Sequence, residues 1–252
     1  MQKDDVLEHL AYHKNSDVAI VLGSGSSINA ITDKEWKAIH RFDTWAVNNW
    51  VYHPIEVPKF YMIETKWYAY EILQRRLEEK KMAYRDTIFL FPENKAIRMK
   101  DGRTLKLRNV LPEELCYFEV PLISRGNRSD TTYTAKYKFK KSVIHKSYDM
   151  SMTSLIEILY RLGYEKVILY GIDLYNSLYF WSNGDPKYGE VHHLWNKQHE
   201  DRDPYDPHNT SRIRHFVISF NKRFKKARRE IFVGNRCTLL YPHLQYIDVT
   251  EI

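Results

Sequence analysis

Three stretches of this chain gather side chains able to support group transfer. Gly23-Ser-Gly-Ser-Ser27 follows an apolar run. A glycine-rich turn entering a helix offers backbone N–H groups and a positive dipole end to an anion such as a phosphate. Gly23 and Gly25 would let a ligand approach closely, while Ser24, Ser26 and Ser27 add hydroxyls. The turn has no lysine after its glycines, so it is not a P-loop. Ile28 stands where the dinucleotide fingerprint wants a third small residue. The second stretch is Gly171-Ile172-Asp173-Leu174-Tyr175, where Gly171 closes an apolar run and Tyr179 follows with a second phenol. The third is His208, set between Pro207 and Asn209. A neutral imidazole there can take a proton from a hydroxyl near neutral pH. His192 and His193 compete for that role, and no Cys-x-x-Cys spacing marks a metal site. A structural turn, a helix or turn cap and a solvated histidine are the plain alternatives for the three.

These residues need elements to hold them. Asp17–Gly23 and Lys166–Gly171 are continuous apolar runs ending in glycine, the pattern of strands buried on both faces. Further strands are expected at 44–48, 59–63 and 87–91, with late ones at Cys237–Tyr241 and Leu244–Val249. Helical patterns cover 4–13, about 66–81, Ser151–Leu162 and Thr210–Arg229, and Thr32-Asp-Lys-Glu35 reads as a capping box. Asp101-Gly102 marks a hairpin, and the irregular stretch 176–208 has the composition of a lid. Strands alternating with helices predict one α/β domain: a Rossmann-like, mostly parallel sheet flanked by helices, with a lid-like insertion. Ligands of such sheets sit beyond the carboxyl ends of the strands. That rule selects Gly23–Ser27, Asn48 and Asn49, Glu64 and Thr65, and Gly171–Tyr175. The two asparagine amides could reach a base, a ribose or sugar hydroxyls.

The formal charge of +7 favours anionic partners, and 19 tyrosines suit either ring and sugar binding or the edges of a core. Two cysteines form no disulfide framework, the first sixteen residues lack a secretory apolar segment, and no run is long enough to span a bilayer. A cytoplasmic protein is expected, peripheral to a membrane at most.

Taken together, these segments resemble the bacterial sialyltransferases of glycosyltransferase family 42. The resemblance runs through Val18–Ser27, Asp43-Thr-Trp-Ala-Val-Asn-Asn49, and Ser151 through Leu162-Gly-Tyr164 to Gly171-Ile-Asp-Leu-Tyr175, and ends at His208. It implies a GT-A-like variant of the α/β fold and a CMP-activated nonulosonic acid as co-substrate, with no metal or other cofactor. Gly23, Ser24, Gly25, Ser26, Ser27, Asn48, Asn49, Gly171, Ile172 and Asp173 would line the nucleotide and donor site, and Ser151 would meet the donor carboxylate. Tyr175 and Tyr179 would donate to the departing phosphate, and His208 would deprotonate the hydroxyl of a glycan acceptor, such as a lipooligosaccharide or capsule, with inversion. The sequence departs from the family at Ser24, where the family has asparagine, and at Tyr148-Asp-Met-Ser-Met152, which lacks the family arginine. Kdo or another ulosonic acid is therefore an alternative to sialic acid, its carboxylate met by a lysine of the 136–146 run.

Other functions compete. Asp201-Arg-Asp203 has the spacing to hold a divalent ion against a nucleotide-diphosphate sugar. Asp43, about twenty residues beyond the glycine turn, suits a Rossmann oxidoreductase or methyltransferase. The basic run Asn221–Arg229, with Phe224 interleaved, suits nucleic acid, a membrane surface or only a solvated helix face. Nucleic acid is the less favoured of these, and the sequence leaves the oligomeric state open.

Overall fold

The computed structural model describes residues 6–63, 70–93, 96–98, 104–106, 109, 111–120, 122–124, 144–146, 151–174, 179–181 and 207–252. Seven strands form one sheet in the order β11-β10-β1-β2-β3-β4-β7. They are β1 (Val18–Leu22), β2 (Asp43–Val47), β3 (Phe60–Met62), β4 (Ile88–Pro92), β7 (Tyr117–Val120), β10 (Lys166–Tyr170) and β11 (Glu230–Val233). Every neighbouring pair is parallel. The short strands β5 (Ala96–Arg98) and β6 (Thr104–Lys106) pair antiparallel around the expected hairpin, and β8 (Leu122–Ser124) pairs with β9 (Ile144–Lys146).

The apolar runs become central strands because both sheet faces are covered. Ile20 and Leu22 of β1 share one core with Ala46, Tyr61, Phe89 and Ile168. Ala19 and Val21 face the other, among Trp45, Phe60, Leu90 and Val167. The helix Ser151–Arg161 brings Leu155, Ile156 and Leu159 to that second core, and the helix Pro207–Lys226 brings Val217, Phe220 and Phe224. Burying a Leu, Ile or Phe fully contributes about 1.5–3 kcal/mol, so these faces fix which way each helix lies.

Thr32 and Glu35 form the expected capping box at the helix Asp33–Ile39. The N-terminal helix covers Val6–Tyr12, and Gly163 ends the Ser151–Arg161 helix with φ +78°. The late part of the chain differs from expectation. The last strand of the sheet is Glu230–Val233, directly after a helix that stops at Lys226. Residues 237–241 form turns, and Tyr246 makes only an isolated bridge to Val233. Arg228 supplies the left-handed turn out of the helix, with φ +59° and no glycine to signal it. The charged Lys225–Glu230 segment thus hides a helix end and a strand start.

From β1 the chain steps outward through β2, β3, β4 and β7, then returns to place β10 and β11 on the other side. The order reverses between β1 and β10, and a crevice opens at such a switch point beyond the carboxyl ends of the strands.

Candidate active site

The turn after β1 and the turn after β10 meet at this switch point. Gly23 N–H donates to the Tyr170 carbonyl at 2.8 Å, and Gly25 N–H donates to the Gly171 carbonyl at 2.8 Å. A β-carbon at Gly23 would lie 2.4 Å from the Gly171 oxygen, and one at Gly25 would lie 2.5 Å from Asp173 Oδ2. Gly171 has φ +66°, and a β-carbon there would lie 2.6 Å from Ile28 Cγ1. The glycines therefore permit two backbone turns to touch. This differs from the expectation that the N–H groups of Gly23 and Gly25 face a ligand, because both already have acceptors inside the protein.

Asp173 completes the junction. Its carboxylate accepts from Ser27 N–H at 3.0 Å, from Ser26 Oγ at 3.4 Å and from the Ser27 hydroxyl. Asn235 Nδ2 donates to Ser27 Oγ at 3.0 Å, adding the 230s loop to the same cluster. Asp173 is buried, and desolvation raises its pKa even though the Ser27 and Ser26 bonds oppose the rise. Ser26, Ser27 and Asp173 are thus brought together as expected, but they satisfy one another. An aspartate occupies the place at the turn where an external anion was expected.

The segment 179–181 crosses the same turn. Tyr179 bridges Gly25, Phe180 N–H donates to the Ser24 carbonyl at 3.0 Å, and Asn29 Nδ2 donates to the Phe180 carbonyl at 2.7 Å. The Tyr179 ring stacks on Trp181 with centroids 4.6 Å apart. Phe180 and Trp181 are fully buried. Tyr179 is therefore held beside the glycine turn by a strand-like bridge.

Asn48 follows β2 directly, with φ +52°, and Asn49 follows it in the short 3-10 segment Asn48–Tyr52. Ser151, the first residue of its helix, donates from Oγ to Asn48 Oδ1 at 3.2 Å. The two residues lie about a hundred positions apart in sequence yet meet at the carboxyl edge of the sheet. That helix leads back into β10, so its first turn lies at the ligand side by construction. The same topology places the start of the Pro207–Lys226 helix there, and His208 is its second residue. Tyr175, Glu64, Thr65, Tyr148, His192, His193, Asp201, Asp203 and most of the expected lid lie outside the described residues.

Two competing assignments each lose a residue they were read from. Asp43 begins β2, at the opposite end of the strand from Asn48, and is buried. It accepts from Lys59 Nζ at 2.6 Å, from Tyr164 OH at 2.9 Å and from Asn15 N–H at 2.9 Å. It is a structural anchor at the amino end of β2, away from the carboxyl edge of the sheet where a ribose would lie. Phe224, read as an aromatic interleaved among cations, is fully buried in the core, and Asn221 Oδ1 accepts from Ile231 N–H at 2.8 Å. Arg223 and Arg229 lie over the Tyr160 ring. The exposed cations of this segment are Lys222, Lys225, Lys226 and Arg228.

Among the described residues, no three His, Cys, Asp or Glu side chains gather as a metal site, and no helix is long and apolar enough to cross a membrane. Sequence reasoning missed Asn235, Phe180 and Trp181, and also Tyr61, whose hydroxyl lies against the Asn48 carbonyl.

The architecture is an open, doubly wound α/β fold whose strand order reverses between β1 and β10. Solved structures similar to this chain are sialyltransferases. One is a variant of the alpha-2,3/8-sialyltransferase CstII, 9% identical, covering 93% of this chain and 88% of that one, with a TM-score of 0.43. Another is a CstII variant in complex with CMP, 12% identical, covering 92% and 87%, with a TM-score of 0.47. A third is the apo alpha-2,3-sialyltransferase from Campylobacter jejuni, 14% identical, covering 94% and 82%, with a TM-score of 0.47. No protein-family model matches the sequence, and the search of curated proteins gave no match.

Proposed function

We propose that the protein is an inverting, metal-independent glycosyltransferase that moves a nonulosonic acid from a CMP-sugar donor to a hydroxyl of a glycan acceptor. The observation that carries this reading is the 3.2 Å hydrogen bond between Ser151 and Asn48. It joins two residues assigned on independent sequence segments to one donor site, beside the turn that bears Gly23–Ser27.

The chemistry assigns each group one task. Asn48 and Asn49 orient the nucleotide and sugar, and Ser151, at a helix start, meets the donor carboxylate. Neutral His208 takes the acceptor proton as the acceptor oxygen forms its bond to the anomeric carbon. The bond from that carbon to the CMP phosphate oxygen breaks from the opposite face, which gives inversion. Tyr175 and Tyr179 donate hydrogen bonds to the phosphate as its charge develops. Preorganised hydroxyl donors of this kind stabilise a leaving monophosphate without a cation, because it carries less charge than a diphosphate. The donor sugar is sialic acid, Kdo or a related ulosonic acid. The exposed Lys222, Lys225, Lys226 and Arg228 suit a peripheral contact with an anionic membrane on the cytoplasmic side, where a lipid-linked acceptor would be met. Salt-dependent binding to DNA but not to anionic vesicles would remove that contact.

The test is a thermal-shift comparison of CMP, UDP, GDP, NAD and S-adenosylmethionine, each with EDTA and with Mg²⁺ or Mn²⁺. A ligand of the native state raises its melting temperature. CMP should stabilise more than UDP, with the effect intact in EDTA. A preference for UDP with Mn²⁺ would move the assignment to the Asp201–Asp203 alternative.

A further inference from the structure

Asn48 stands in a backbone conformation that its own chemistry only tolerates. A φ of +52° is left-handed, a region costly for most side chains and less so for asparagine. Something must hold the chain there, because β2 could otherwise continue extended past Val47.

The holding group is Tyr61, in the middle of β3. Its hydroxyl donates to the Asn48 carbonyl and accepts from the Val51 N–H at 2.8 Å. One phenol oxygen thus closes both ends of the short turn that begins with Asn48. Its ring is fully buried and packs on Phe89 at 5.5 Å and Tyr84 at 6.0 Å. A ring fixed in this way makes its oxygen a rigid post. Lys80 braces the far side of the same segment, with Nζ donating to the Val51 carbonyl at 2.9 Å and to the His53 carbonyl. Tyr84, next to Tyr61 and equally buried, has no hydrogen-bond partner for its hydroxyl among the described residues. The two tyrosines therefore share an environment but differ in what their oxygens do.

We propose that Tyr61 is a positioning residue of the donor site, its hydroxyl holding Asn48 in the left-handed turn that sets the asparagine amide against Ser151 and a bound CMP-sugar. This rests on the donor-site reading given above. Tyr61 touches no substrate. It acts through the backbone of Asn48, and the geometry it enforces is what the amide needs to reach across from β2 to the start of the Ser151–Arg161 helix.

The test compares Tyr61→Phe with Tyr84→Phe by amide hydrogen exchange and by CMP affinity, measured calorimetrically on the full chain. Tyr61→Phe should remain cooperative, lose protection at Val51 N–H, and weaken CMP on the order of tenfold, the scale of one lost buried hydrogen bond. Tyr84→Phe should change neither readout. Equal losses in both variants would mean general softening of the core and would overturn the proposal, as would unchanged exchange and affinity in Tyr61→Phe. Should Tyr61→Phe fold poorly, a double-mutant cycle with Asn48→Gly decides. Glycine takes the left-handed turn without help, so Tyr61→Phe should cost less stability in the Asn48→Gly background, and an identical cost in both backgrounds would refute the positioning role. Wild-type protein that ignores CMP, while Val51 exchange and the cycle behave as expected, would overturn the donor-site reading alone.

Discussion

Asp173 takes both the backbone N–H and the hydroxyl of Ser27, so the turns after β1 and β10 are joined by a carboxylate that the protein supplies itself. Without that group, the buried N–H and hydroxyl of Ser27 would both lose the acceptor they share. Asp173→Ala should therefore cost about 2–3 kcal/mol in denaturant melts, the scale for leaving buried polar groups unsatisfied. Asp173→Asn should cost less, since its amide can keep one acceptor and offer a donor to Ser27 Oγ.

The same aspartate sets a pH dependence. Burial raises its folded-state pKa above the ordinary 3.8, so the native state binds the proton more tightly than the unfolded chain. Its contribution to stability is complete below the ordinary value and is lost as pH rises through the raised one. The difference in melting temperature between wild type and Asp173→Asn should consequently shift against the wild type as pH is raised from about 3 through that window. A difference independent of pH there would show that the carboxyl does not titrate abnormally.

Gly25 offers a prediction about folding rather than ligand. An added β-carbon would lie 2.5 Å from Asp173 Oδ2 and 2.8 Å from the Gly171 carbonyl. Gly25→Ala should lower stability by about 2–4 kcal/mol in the absence of any nucleotide. A variant of wild-type stability that fails only to bind CMP would instead mean that the glycine faces the ligand.

Ser151 separates nucleotide from sugar. CMP lacks the donor carboxylate, so Ser151→Ala should leave CMP affinity within a few-fold while raising KM for the intact CMP-sugar by roughly tenfold, the scale of one hydrogen bond to a charged group. Equal weakening of both ligands, seen in calorimetry and steady-state kinetics, would place Ser151 on the nucleotide.

The transfer step carries the fifth prediction. His208→Ala should keep the fold and CMP binding while lowering kcat about a hundredfold or more, and kcat/KM in the wild type should rise through an ionisation at roughly 6–7. His192→Ala and His193→Ala are the controls. Tyr175→Phe and Tyr179→Phe should lower kcat by about tenfold to a thousandfold with little change in KM. Full activity in the double phenylalanine variant would place the departing phosphate elsewhere.

Much of the frame was legible because apolar runs such as Val18–Leu22 and Lys166–Tyr170 can only be central strands when both faces are buried. The meeting of Asn48 with Ser151 was legible only through the family resemblance, which put both in one donor site, since periodicity places residues on elements but not against each other. Asp173 misled for a related reason: a carboxylate past a strand end looks the same in sequence whether it faces solvent or a neighbouring turn. The strand Glu230–Val233 was missed because its entry turn is made by an arginine, where turn chemistry favours glycine or asparagine. Tyr61 carried no signal at all, because a tyrosine inside an apolar strand reads as bulk until its oxygen is traced.

The pairing of β1 with β10 has a consequence for how the chain is made. Val18 lies beside Lys166, and Lys166 beside Glu230, so the middle of the sheet is assembled from distant parts of the polypeptide. During synthesis β1 leaves the ribosome well before β10, its partner on one side. Meanwhile one edge of β1 is unpaired and its apolar faces are open, the condition that invites association with other strands. Contacts of such long sequence separation also slow folding. Efficient production of the protein should accordingly depend on translation pace and chaperone supply more than its final stability would suggest, and nascent chains ending before Tyr170 should be the ones that aggregate.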